Sequence, residues 1–104
     1  MSSVLIGALT DLPDGRGVRV EVDGRRIALF RIGADVYALG DRCSHAEASL
    51  AEGELVDGEV ECPRHGSTFD LRTGKPGSLP ATKPVPVYTV RVTDGAVHLE
   101  LEDT

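Results

Sequence analysis

Residues 62–70 read Cys62-Pro63-Arg64-His65-Gly66-Ser67-Thr68-Phe69-Asp70, and a shorter motif, Cys43-Ser44-His45, lies upstream of them. Together the two motifs contain both cysteines of the 104-residue chain and two of its three histidines. Each motif pairs one thiolate donor with one imidazole donor, and both are common ligands of transition metals. This pairing predicts that Cys43, His45, Cys62 and His65 hold a metal centre between two loops.

Other uses of these four residues have different signatures. A zinc finger usually groups its cysteines and its histidines separately, whereas each motif here mixes them, so a zinc site stays open only as an alternative. A disulfide between the cysteines would leave both histidines unexplained, and the sequence has no export signal that would favour oxidation. A catalytic cysteine–histidine pair does not require a duplicated pattern. The spacing favours a [2Fe–2S] centre with two cysteines and two histidines.

The residues around both motifs resemble the Rieske family of iron–sulfur proteins. Residues 42–45 are similar to the family's first cluster loop and residues 62–70 to its second, and the resemblance extends over about residues 4–101. It implies one [2Fe–2S] cluster, with Cys43 and Cys62 on one iron and His45 and His65 on the other.

Other positions of the resemblance bear on the reduction potential. Ser67 either donates its hydroxyl to a cluster sulfur or bonds the backbone of its own turn. High-potential members of the family have a tyrosine at the position of Phe69, and a disulfide joins the positions of Ala48 and Arg64. Because these features are missing here, we expect a potential near the lower end of the Rieske range, roughly −150 mV.

A third segment, Gly77-Ser78-Leu79-Pro80, resembles the family's proline-containing loop. The resemblance implies that this loop, with Pro80, covers one side of the cluster and excludes water. An ordinary proline–glycine turn is the alternative.

The alternation of apolar and polar residues is typical of β-strands. Residues 18–22 and 25–31 flank an Asp23-Gly24 turn, which predicts a hairpin. Further strands are predicted at 35–39, 59–61, 68–71, 85–92 and 96–101, with turns at Thr73-Gly74 and Thr93-Asp94-Gly95 and one helical turn around 46–50. The chain is thus expected to be one all-β domain, 1–104, an antiparallel β-sandwich or barrel. The Rieske-like cluster-binding subdomain with its two loops would be inserted at about 41–80.

The formal charge of −6 argues against binding to nucleic acid or anionic membranes. Most of the excess negative charge lies between residues 41 and 65, a segment with seven acidic residues and two arginines. The acidic residues are Asp41, Glu47, Glu52, Glu54, Asp57, Glu59 and Glu61. This segment is either a solvated loop surface or an electrostatic target for a basic redox partner. The N-terminal apolar run 4–9 is too short to span a bilayer, so we expect a soluble cytoplasmic protein.

The remaining histidine limits the activities open to this chain. A Rieske oxygenase also needs a mononuclear iron held by two histidines and a carboxylate, and only His98 is left for such a site. The chain is therefore expected to be an electron-transfer component and not an enzyme.

The resemblance is nearest to the ferredoxins of aromatic-ring-hydroxylating dioxygenase systems. It implies a monomeric one-electron carrier between an NAD(P)H-dependent flavin reductase and a terminal oxygenase. The alternatives are the small subunit of an assimilatory nitrite reductase and a cluster-bearing regulatory or assembly accessory protein.

Overall fold

The computed structural model describes residues 2–42, 48–63, 67–77 and 83–101. Within these ranges the chain forms nine β-strands, all paired antiparallel, and two single-turn 3-10 helices at Leu9–Asp11 and Leu50–Glu52. The strands are β1 Ser2–Ala8, β2 Gly17–Val22, β3 Arg25–Ile32, β4 Asp35–Gly40, β5 Leu55–Val56, β6 Glu59–Glu61, β7 Thr68–Asp70, β8 Val87–Thr93 and β9 Ala96–Leu101. The predicted all-β class is confirmed. Among the described residues no helix has the length and apolarity needed to cross a membrane.

The nine strands form two sheets. Six strands pair in the order β1-β9-β8-β4-β3-β2, and the other three in the order β5-β6-β7. Strands β4 and β8 are neighbours in the larger sheet, although the whole smaller sheet lies between them in sequence. The smaller sheet is therefore an insertion between two paired strands. The boundaries of the predicted subdomain, 41–80, stay a prediction.

Three hairpins turn on the same dipeptide. Asp23-Gly24 joins β2 to β3 and Asp94-Gly95 joins β8 to β9, with φ between 50° and 78° at these four residues. Both turns were predicted, since aspartate and glycine tolerate the left-handed conformation that a two-residue hairpin loop requires. Asp57-Gly58 makes the same turn between β5 and β6, with φ of 48° and 80°. The prediction missed β5, although this dipeptide marks its end.

Two other elements differ from the prediction. The N-terminal apolar run is strand β1, paired with β9, and its register shifts between Leu5 and Gly7. This irregularity interrupts the alternation by which a strand is identified. A helical turn was predicted around 46–50, and among the described residues a 3-10 turn spans Leu50–Glu52, where the Asp41 carboxylate accepts a hydrogen bond from the backbone N–H of Ala51 (3.0 Å). Residues 46 and 47 lie outside the described part of the chain.

Each face of the larger sheet carries a hydrophobic cluster where β3 and β4 are paired. Ile27 and Leu29 belong to one hydrophobic cluster, whereas Ala28 and Phe30 belong to another, so four consecutive residues of β3 are buried. The second cluster also contains residues of the smaller sheet, and we call it the inter-sheet core. Its buried members are Ala28, Phe30, Leu39, Leu50, Val60, Cys62, Phe69, Leu71 and Val85. The smaller sheet is thus held against the larger one by apolar contact.

Gly53 is the point at which the turn Leu50–Glu52 meets β6. Its N–H donates to the carbonyl of Leu50 (3.0 Å), and a Cβ at this position would overlap the carbonyl oxygen of Glu61. We expect Gly53→Ala to destabilise the fold by about 2 kcal/mol, because backbone on both sides must move apart. Urea unfolding followed by circular dichroism measures this loss. The neighbouring exposed substitution Glu54→Ala should leave the midpoint almost unchanged, and equal midpoints for the two variants would contradict the close packing.

Candidate metal centre

Cys62 is the one predicted ligand that lies within the described residues; Cys43, His45 and His65 lie outside them. Cys62 directly follows β6 and is fully buried in the inter-sheet core. Its thiol is free, so it forms no disulfide. A free buried cysteine is either an inert small apolar residue or a metal ligand, and the position of Cys62 at the base of a predicted cluster loop agrees with the second role.

The second loop is the connection between β6 and β7. Glu61 pairs with Thr68 across the two strands, and the N–H of Cys62 donates to the carbonyl of Ser67 (2.6 Å). This bond extends the pairing of the hairpin by one residue beyond strands β6 and β7. It leaves residues 63–66, which include the predicted ligand His65, as the connecting segment.

The first loop is closed in a similar way. Arg42 and Ser49 form an isolated antiparallel bridge, and the N–H of Leu50 donates to the carbonyl of Asp41 (2.7 Å). The chain therefore enters and leaves residues 43–47 side by side. Ala48 and Leu50 pack in the same inter-sheet core as Cys62. The bases of both cluster motifs thus converge on one hydrophobic cluster, as a shared metal centre requires.

Asp41 stabilises the base of the first loop. It is only 2% exposed, and its Oδ1 accepts hydrogen bonds from the Ser49 hydroxyl (2.8 Å) and the N–H of Ala51 (3.0 Å). Asp41 was expected to be exposed, either on a solvated loop surface or on a target for a basic redox partner. That expectation is wrong for this residue, because its carboxylate faces the protein and braces the turn.

The exposed acids beside Cys62 are Glu54 and Glu61. The N–H of Glu61 donates to the carbonyl of Glu54 (2.9 Å), so the two residues are neighbours on adjacent segments, and both side chains are exposed. Glu52 and Asp57 are also exposed, whereas Glu59 is half-buried. Glu47 lies outside the described residues.

The third predicted loop begins next to the second. The N–H of Gly77 donates to the carbonyl of Thr68 (2.7 Å), and the N–H of Val85 donates to the carbonyl of Gly74 (2.9 Å). Residues 78–82, with Pro80, lie outside the described part. Gly77, the first residue of the segment, is therefore bonded to the residue that follows Ser67, while the covering role of Pro80 stays a prediction.

Ser67 and Phe69 are both fully buried behind the second loop. No buried side-chain oxygen or nitrogen among the described residues lacks a hydrogen-bond partner, and this includes the Ser67 hydroxyl. A hydroxyl can accept one hydrogen bond and donate another, so both predicted roles of Ser67 agree with its position. Phe69 fills the core without offering a hydroxyl.

His98 lies apart from this arrangement. It is a half-buried residue of β9 between the buried residues Val97 and Leu99, and it pairs with Arg91 of β8. The predicted alternation of its strand is confirmed. Val97 and Leu99 belong to the same cluster as Ile27 and Leu29, which we call the main core. It is separate from the inter-sheet core that contains Cys62.

The described residues fit a two-loop iron–sulfur site. They supply a free buried thiol at Cys62, two loops closed at their bases and a buried hydroxyl at Ser67, whose carbonyl accepts the backbone bond from Cys62. The chain matches the family model described as the Rieske [2Fe-2S] domain over residues 2–89. It is 41% identical over 104 residues to the 3-phenylpropionate/cinnamic acid dioxygenase ferredoxin subunit of Escherichia coli (strain K12), covering 99% of this chain and 97% of that protein.

Three solved structures have the same fold as this chain. The ferredoxin of carbazole 1,9a-dioxygenase from Nocardioides aromaticivorans IC177 is 36% identical, with a TM-score of 0.93 over 98% of this chain and 100% of that one. A chain in a complex of reduced oxygenase and oxidized ferredoxin in carbazole 1,9a-dioxygenase is 39% identical, with a TM-score of 0.86 over 93% of this chain and 100% of that chain. A chain assigned as an NADH-dependent nitrite reductase small subunit, from Mycobacterium tuberculosis, is 29% identical, with a TM-score of 0.89 over 99% and 97% of the two chains.

Proposed function

Because the chain belongs to the Rieske [2Fe–2S] domain family, we propose that it serves an aromatic-ring-hydroxylating dioxygenase system as its ferredoxin. Its cofactor is one Rieske-type [2Fe–2S] cluster, and it is an electron-transfer component, not a catalytic subunit. The observation that carries the proposal is the correspondence with a ferredoxin subunit over 99% of this chain and 97% of that protein. The nitrite reductase alternative has support from a fold neighbour of lower identity.

The proposed ligands are Cys43 and Cys62 for one iron and His45 and His65 for the other. The free, buried thiol of Cys62 and the convergence of the two loop bases support this assignment. When bound, such a cluster accepts and releases a single electron. Cys62 holds its side of the site within the inter-sheet core, where Leu50 and Phe69 exclude water. The histidine side is therefore the proposed exit for the electron.

The proposed electron donor is an NAD(P)H-dependent flavin reductase and the proposed acceptor is a terminal oxygenase. We propose that the carrier is a cytoplasmic monomer, since a shuttle must leave one partner before it meets the next. Purified protein should be required for product formation when a reductase and a terminal oxygenase of the E. coli 3-phenylpropionate dioxygenase system are supplied. Transfer to a nitrite reductase catalytic subunit alone would instead favour the alternative.

The ligand set is tested by exchanging one imidazole for a thiolate. We expect His65→Cys either to lower the reduction potential markedly or to lose the cluster, because a third thiolate adds negative charge to the site. His98→Cys makes the same substitution outside the site and should retain the wild-type potential. The wild-type protein should contain iron and acid-labile sulfide in equal amounts and show a Rieske-type EPR signal on reduction. Zinc without sulfide would refute the assignment.

The hydroxyl of Ser67 is proposed to donate a hydrogen bond to a cluster sulfur. Such a bond stabilises the more negative reduced state, so Ser67→Ala should lower the potential by roughly 60 mV, which corresponds to a charge-assisted hydrogen bond of about 1.5 kcal/mol. Protein-film voltammetry measures the potential. Ser3→Ala removes an exposed hydroxyl of β1 outside both cluster motifs and serves as the control. If both variants kept the wild-type potential, Ser67 would only bond its own turn.

The exposed pair Glu54 and Glu61 is proposed to attract a basic surface of a redox partner. Both lie at the Cys62 end of the smaller sheet, so a partner that approaches the cluster loops meets them. Charges at the rim of an interface act mainly on the association rate, and salt screens them.

Neutralising this pair should therefore slow electron transfer at low ionic strength. We expect the double variant Glu54→Gln/Glu61→Gln to reduce the second-order rate constant several-fold and to flatten its salt dependence. Stopped-flow oxidation of the reduced protein measures both. The matched control, Asp35→Asn/Asp94→Asn, changes two exposed acids outside the smaller sheet, one at the start of β4 and one in the turn between β8 and β9. An equal loss in the control would indicate a general effect of net charge.

A further inference from the structure

An arginine-lined groove of about 800 Å³ lies next to the first cluster loop. Arg19 projects from β2, Arg25 and Arg26 belong to β3, and Arg42 precedes the first motif. Asp41 and Glu52 are the carboxylates of the lining, so the arginines exceed the acids by two. This local excess of positive charge is unexpected in a chain whose formal charge is −6.

Three of these arginines have no partner among the described residues. No hydrogen bond or ion pair within that part of the chain involves the side chain of Arg19, Arg25 or Arg26, and Arg19 and Arg26 are exposed. Other arginines are engaged: Arg31 donates to the carbonyls of Leu9, Leu12 and Gly33, and Arg91 pairs with Glu100. Like charges that share a groove repel one another unless an anion joins them, and guanidinium groups match carboxylates bidentately.

The floor of the groove is held in place. The N–H of Asp41 donates to the carbonyl of Arg26 (3.1 Å), while its carboxylate bonds Ser49 and Ala51. Asp41 thus ties strand β3 to the turn Leu50–Glu52. Both described hydrogen bonds of its carboxylate go to Ser49 and Ala51, so neither joins it to an arginine of the groove. The arginines of β2 and β3 are left to bind an external anion.

The groove is continuous with the first cluster motif, since Arg42, Ala48 and Ser49 line it and flank residues 43–47. A protein that approaches this motif to exchange an electron therefore lies over the groove. We propose that the groove binds a carboxylate-rich segment of the terminal oxygenase. This inference rests on the proposed function. With Glu54 and Glu61 it gives the docking face two regions of opposite charge, which fix the orientation of the partner.

A direct binding measurement tests the chemistry of the groove without electron transfer. Hexa-L-glutamate is titrated into the wild-type holoprotein, the groove variant Arg19→Glu/Arg26→Glu and the control Arg16→Glu/Arg72→Glu. The control residues are exposed, lie outside the groove and change the net charge by the same four units. We expect the groove variant to bind the peptide at least roughly tenfold more weakly than the control. Equal affinities for the two variants would overturn the proposal.

A kinetic measurement tests the identity of the partner. In the groove variant, oxidation of the reduced protein by the terminal oxygenase should slow at least roughly tenfold relative to the control, and it should slow by a larger factor than reduction by the reductase. A loss confined to the reductase step would overturn the assignment to the oxygenase. The EPR signal and potential of both variants should equal those of the wild type. If the wild-type protein transferred no electron to an oxygenase while still binding the peptide through the groove, the proposed function would fail and the anion site would stand.

Discussion

The rest of the structure depends on the burial of both faces of β3 and β4. Ile27 and Leu29 serve the main core, whereas Ala28 and Phe30 face the smaller sheet, so the larger sheet has apolar surface on two sides. Exposed apolar surface is costly in water, and covering it is the main force that holds one layer on another. The smaller sheet is too short to be stable alone, since β5 has two residues and β6 and β7 have three each. Its attachment to β3 and β4 places Cys62 inside the protein.

Hydrogen bonds among the described residues close the bases of the two cluster loops. The first loop is closed at its base by the Arg42–Ser49 bridge and by the carboxylate of Asp41. The second loop depends on the bond from Cys62 to Ser67. Short loops closed in this way have little freedom to lose when ligands are brought together. A hydrogen-bonded frame therefore substitutes for a covalent one.

The sequence predicted those features that local chemistry determines. Asp-Gly turns and alternation located β2, β3, β8 and β9 to within two residues, and ligand spacing indicated the type of centre. Strand β1 was missed because Gly7 disturbs the alternation, and β5 because two residues carry no periodicity. The burial of Asp41 could not be read from the sequence, since a carboxylate before a loop is usually exposed. The arginine groove was missed because Arg19 and Arg42 are 23 positions apart in sequence and are brought together by the pairing of β2 with β3 and of β3 with β4.

The arrangement of charge follows from what a shuttle must do. A carrier has to meet two partners in turn and leave each quickly, so tight binding through a large apolar interface would slow it. Charged groups at an interface raise the association rate and set orientation with little gain in affinity, and they lose strength beyond a Debye length of about 8 Å at physiological salt. Glu54 and Glu61 on one side and the arginines of β2 and β3 on the other supply this kind of attraction. Because Cys62 is buried on the inner side, a partner oriented by these charges meets the side on which the histidine ligands are proposed to lie.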